Sequence, residues 1–126
     1  MQYTKASSST DLYKLCNLIG VNKLIICRLN DVEKFLKDKN IENIIINLDN
    51  KGNGTHWVSC NKIKKIYFDS YAQPPPNVLK DYKEASTSKQ LQSISSADCG
   101  WLCSLWLYYI NYKSNKEYYD LFKDVY

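Results

Sequence analysis

A single histidine, His56, stands in this chain of 126 residues. Chemistry that needs an imidazole base therefore has one candidate. Long apolar runs are also missing, which excludes a membrane-spanning helix. The first residues, Met1 to Thr10, are polar and serine-rich and lack the apolar core of a secretory signal. Cysteines number five, an odd count, and Cys99 and Cys103 sit four apart in an apolar segment. That pattern argues against a disulfide framework and for a reducing, intracellular setting. Neither charge sign dominates: the net charge is +4, with 44% hydrophobic and 24% charged residues, as in ordinary globular proteins. No repeat or second domain is apparent, so 1–126 reads as one domain, long enough to bury a core.

The hydrophobic pattern predicts an α+β fold. A short amphipathic helix is expected over Asp11–Ile19, with Leu12, Leu15, Cys16 and Ile19 on one face. Lys23–Leu29 reads as a strand or buried turn. Asn30-Asp31 is expected to cap a second helix carrying Val32, Phe35 and Leu36 inward. Ile44-Ile45-Ile46 marks a buried strand, and Asp49–Gly54 a loop. His56–Cys60 and Lys65–Asp69 read as a hairpin, Pro74-Pro75-Pro76 as a stiff connection, and Asn77–Ala85 as a short helix. Gln90–Ile94 reads as a short edge strand. Asp98–Tyr112 is apolar nearly all round, the mark of a central buried helix. Lys116–Val125 closes the chain as a flanking helix. The expected architecture is a small mixed β-sheet packed on the central helix.

Four side chains along this layout suit a thiol hydrolase. A hairpin loop centred on Lys62 and Ile63 sets Cys60 opposite Lys65 and His56 opposite Asp69. Opposed residues have Cβ atoms about 4.5–5.5 Å apart, close enough for a carboxylate to orient an imidazole. Cys99 opens the central helix, where unpaired N–H groups and the helix dipole favour a thiolate. Amides around Asp98 and Cys99, with the Gln92 side chain, could bind an oxyanion. Gly100 allows close approach of another backbone. Cys103, a turn deeper, reads as a structural cysteine.

Two other readings use the same residues. His56 with Cys60, and Cys99 with Cys103, could make a zinc-held binding module. A spacing of four along a strand separates ligands by about 13 Å, however, too far for one ion, so no metal and no cofactor are expected. Lys62, Lys64 and Lys65 form a basic cluster, read as a solvated turn with a weak nucleic-acid contact as the alternative.

The motifs resemble those of the adenovirus-type cysteine proteases, which share a fold with the SUMO-type proteases. The resemblance rests on Gly54-Thr55-His56-Trp57-Val58, on Tyr67-Phe68-Asp69-Ser70-Tyr71 and on Gln92 through Cys103, and covers roughly residues 41–110. Ile44–Asp49 and the proline run look most like the maturation proteases of virophages and Polinton-like viruses. The resemblance implies Cys99 as nucleophile, His56 as base, Asp69 as its orienter and Gln92 as oxyanion donor. Gln92 lies seven residues before Cys99, as in the adenovirus type, and Gln90 is a reserve candidate. Trp57 and Gly100 are implied to line the substrate channel. The implied function is an endopeptidase that matures viral capsid precursors at glycine-containing sites, in the host cell and the virion. A protease for ubiquitin-like modifiers is the alternative within the same chemistry.

Overall fold

The computed structural model describes residues 8–48, 56–86, 91 and 98–123. Its centre is a mixed sheet of five strands in the order β1-β2-β3-β4-β5. The strands are β1 (Leu24–Arg28), β2 (Asn43–Asn47), β3 (Trp57–Asn61), β4 (Ile66–Phe68) and β5 (Lys83–Glu84). β1 runs parallel to β2, β3 antiparallel to both its neighbours, and β5 parallel to β4. The described residues also form four α-helices: α1 (Ser9–Leu18), α2 (Val32–Leu36), α3 (Cys99–Tyr112) and α4 (Asn115–Asp120). The α+β expectation and the central helix are both present.

Period-two alternation divides the core between the two faces of the sheet. Ile45, Trp57 and Phe68 join Leu12, Cys103, Trp106, Ile110 and Tyr118 on the face covered by α1, α3 and α4. Ile44, Ile46, Val58, Cys60 and Tyr67 join Val32 and Leu79 on the other. Phe68 stacks on Trp106 at 5.3 Å and meets Tyr118 edge-on at 5.4 Å. Such aromatic contacts add about 0.5–1.5 kcal/mol each beyond burial, so this cluster fixes α3 and α4 on the sheet. A buried amide network ties the far end of the sheet to α3. Asn43 Oδ1 accepts from Asn61 at 2.9 Å and from Asn111 at 3.0 Å, while Asn43 Nδ2 donates to the Asn22 carbonyl.

Several expected boundaries differ. α1 begins earlier, because Ser8 and Asp11 form a reciprocal capping box. A 3-10 turn, Leu29–Asp31, precedes α2, and Asp31 makes no side-chain cap bond. The helix expected over Asn77–Ala85 is a 3-10 turn at Asn77–Leu79 followed by β5. The free edge of β4 captures that segment: Lys83 donates to the Lys65 carbonyl and Ala85 to that of Tyr67. α4 is shorter than expected and is capped by Ser114. The Asp49–Gly54 loop lies outside the described residues, as does the Gln90–Ile94 strand except for Leu91.

The hairpin register is also corrected. Asn61 faces Ile66, Cys60 faces Tyr67 and Ser59 faces Phe68. The Asn61 side chain accepts the Lys64 amide at 2.9 Å, and Lys65 adopts a left-handed φ of 55°. This turn is centred one residue beyond the expected point, which moves every pairing partner by two. A slip of two, unlike a slip of one, leaves every side chain on its expected face. Two lysines of the basic cluster are committed to helix ends. Lys62 Nζ donates to the carbonyls of Phe35, in the last turn of α2, and of Asp38 just beyond it, and Lys64 Nζ to that of Ile110 in α3.

Candidate active site

His56 stands just before β3, where its carbonyl accepts the Leu48 amide at 2.9 Å and so extends the β2–β3 ladder. Asp69 stands just after β4, where the chain turns. Its carbonyl accepts the Ala72 amide and its Oδ1 the Tyr71 amide, both at 2.8 Å. This Asx-type turn aims the carboxylate back along the sheet. Asp69 Oδ1 then meets His56 Nε2 at 2.8 Å. The two residues are diagonal rather than directly opposed, because of the corrected register, yet they share a face. Tyr71 packs its ring against the imidazole, with centroids 4.8 Å apart.

Cys99 is the first residue of α3 and is fully buried. Its Sγ accepts the backbone amide of Trp57 at 3.2 Å. One turn on, the Cys103 thiol donates to the carbonyl of the same Trp57, also at 3.2 Å. Two cysteines on one helix face therefore grip a single residue of β3, and the nucleophile candidate is held beside the residue that follows His56. Burial pushes the Cys103 thiol far above its ordinary range, which fits a structural thiol.

The electrostatics of His56 follow from its neighbours. Burial of the ring disfavours its proton. The hydrogen bond to Asp69, the nearby Cys99 sulfur and the charge of the carboxylate outweigh that effect and raise the pKa from 6.5 to about 9. With Nε2 on Asp69, the remaining ring nitrogen is Nδ1, which is buried and makes no hydrogen bond of ordinary geometry. A ring oriented by a carboxylate, with a thiol held on the amide of the following residue, can carry a proton between the sulfur and a leaving group.

Of the remaining expected site residues, Gln92 and Gln90 lie outside the described residues. Gly100 is buried, and what approaches it is side chains rather than backbone. A Cβ there would meet Leu12 Cδ2 at 3.0 Å and Trp57 Cδ1 at 3.1 Å. Trp57 lies with its side chain buried, on one wall of a cleft of about 310 Å³ shared with Ser9, Ile26, Cys27, Arg28 and Asn47. A second cleft of about 650 Å³ opens beside His56 and Asp69, lined also by Tyr71, Gln73, Pro74 and Pro76. Tyr71 and the Trp57 peptide group join the candidate site through contacts that residue types alone do not reveal. The turn after Asp69 was the available signal for Tyr71.

The four residues of the alternative metal set are divided by the sheet. Cys60 lies in the core of one face, and Cys99 and Cys103 lie in the core of the other. Comparison with protein-family models, with curated proteins and with solved structures finds no match to this chain.

Proposed function

We propose that the chain is a cysteine endopeptidase whose mixed sheet and central helix form an adenovirus-protease type of fold. The observation that carries this reading is a 2.8 Å carboxylate–imidazole bond between Asp69 and His56 together with a helix-opening thiol, Cys99, held on the amide of Trp57, the residue after His56. The Cys99 sulfur is the nucleophile, and His56 takes up its proton. The sulfur attacks a peptide carbonyl and forms a C–S bond. His56 gives its proton to the departing nitrogen as the C–N bond breaks. A water molecule, deprotonated by the now neutral His56, then cleaves the thioester and restores the thiolate. Asp69 keeps the ring oriented and stabilises its charge throughout. Gly100 serves this geometry by giving the Trp57 indole room to seat.

The motif resemblance extends the reading to a viral maturation protease that cuts capsid precursors at glycine-containing sites in exposed linkers. Trp57, beside the base, then narrows the channel against side chains flanking the scissile bond. The test is incubation of wild type and Cys99→Ala with the proteins encoded beside this one, followed by mass spectrometric mapping of new termini. New termini flanked by glycine with wild type alone are expected. Identical termini with Cys99→Ala refute the assignment. One observation favours a second reading: Trp101 is 57% exposed and follows Gly100, giving an apolar contact of the kind on which a folded ubiquitin-like modifier could dock. Cleavage of such fusions in preference to unfolded linkers selects that reading.

A further inference from the structure

Arg28 is the only arginine among the 17 basic residues of the chain. It ends β1, an edge strand, and is exposed. Among the described residues it belongs to no ion pair; the pairs there are Lys23–Glu42, His56–Asp69 and Lys116–Asp120. The carboxylate on the first turn of neighbouring α1, Asp11, is committed to the Ser8 cap.

Strand register gives Arg28 its relation to the site. Arg28 pairs with Asn47, and Asn47 pairs with Trp57. The three form one row across three strands and present side chains on one face. The row ends at the residue whose amide meets Cys99 Sγ. All three line the 310 Å³ cleft. Two strand spacings separate the ends of the row, about 10 Å, which an extended peptide covers in about three or four residues.

The direction of a substrate follows from the chemistry. The acyl part stays on Cys99 while the leaving amine takes its proton from His56. The cleft beside His56 and Asp69 therefore receives the leaving segment, and the cleft on the Trp57 side receives the acyl segment. We propose that this second cleft holds the N-terminal part of an extended substrate, and that Arg28 selects an aspartate or glutamate three or four residues before the scissile bond. A guanidinium suits this task because its planar fork grips a carboxylate with two parallel hydrogen bonds. The proposal rests on the peptidase reading for its direction and spacing. It makes Arg28 a specificity residue, remote from the bond that breaks.

The test uses internally quenched peptides carrying Glu, Gln or Lys at each of the six positions before one scissile bond. Wild type, Arg28→Gln and Arg28→Glu are compared, and iodoacetamide labelling of Cys99 in each protein reveals any damage to the nucleophile. Wild type is expected to cleave the Glu peptide about three- to tenfold faster than the Lys peptide at the third or fourth position. The preference vanishes in Arg28→Gln, inverts in Arg28→Glu, and shrinks at 1 M salt. No charge preference in wild type, or the same preference in Arg28→Glu, overturns the proposal. If no peptide is cleaved although Cys99 is labelled, the peptidase reading fails separately. Binding of the same peptides to Cys99→Ala protein then decides: tighter binding of acidic peptides, reversed by Arg28→Glu, keeps the recognition role. Displacement of the acidic peptide by a short oligonucleotide that binds more tightly and needs Arg28 reassigns it to a polyanion and overturns the proposal.

Discussion

Replacing Asp69 with asparagine keeps the shape of the side chain and removes its charge. Wild-type His56 holds its proton up to about pH 9, against 6.5 ordinarily, although burial of the ring works against it. A displacement of that size is worth roughly 2–3 kcal/mol in favour of imidazolium, allowing for the partial exposure of the ring. In Asp69→Asn, burial persists while the hydrogen bond to a carboxylate and its charge are lost. The pKa then falls to the ordinary value or below. Because His56 is the only histidine, one imidazole C–H resonance in a proton NMR titration reports the change without assignment. Stability follows the same linkage. A pKa raised on folding contributes stability that is complete below pH 6.5 and lost progressively up to about pH 9. The stability deficit of Asp69→Asn is therefore largest near pH 6 and closes above pH 9. On the peptidase reading, wild-type kcat/KM declines through about pH 9 as the imidazolium is lost. The variant declines two or more units earlier and is about 100-fold slower at pH 8. A wild-type imidazole that titrates near 6.5, or one unmoved by Asp69→Asn, refutes the reasoning.

Three further outcomes are expected. Cys99→Ala abolishes turnover and labelling by a thiol-directed inhibitor, whereas Cys103→Ser keeps activity within about tenfold and lowers stability by about 1–2 kcal/mol, read by urea unfolding. Gly100→Ala forces a methyl against Leu12 and Trp57, costs about 1–3 kcal/mol, and lowers kcat/KM by displacing Trp57; a variant with wild-type melting temperature contradicts that packing. Lys62→Met removes two bonds to helix-end carbonyls and destabilises by about 1–3 kcal/mol, with no change in oligonucleotide retention on a gel, because that ammonium already serves the fold.

The strong elements were legible because their patterns were long or unmixed. Ile44-Ile45-Ile46 could only be a buried strand, and the apolar run after Cys99 could only be a central helix, which α3 bears out. The meeting of His56 and Asp69 was legible for a subtler reason. Face alternation survives a two-residue error in register, so a hairpin with the wrong turn still brought the right pair together. The turn itself was obscured because its closing bond comes from the Asn61 side chain, while the eye is drawn to the lysines. β5 was missed because it exists only where the edge of β4 recruits it, a tertiary effect with no local signature. The double grip of Cys99 and Cys103 on Trp57 needed the helix and the strand in three dimensions. Spacing alone offered the same four positions to a metal.

The amide network of Asn43, Asn61 and Asn111 stands at the opposite end of the sheet from the imidazole–carboxylate pair. Carboxamides neither gain nor lose protons at any pH a cell meets. The anchor of the strand register is therefore blind to acidity, while the pair at the other end is governed by it. With its proton held up to about pH 9, the imidazole end keeps its charge through acidic and neutral conditions. Only alkaline conditions reach it, and they leave the amide anchor of the register untouched.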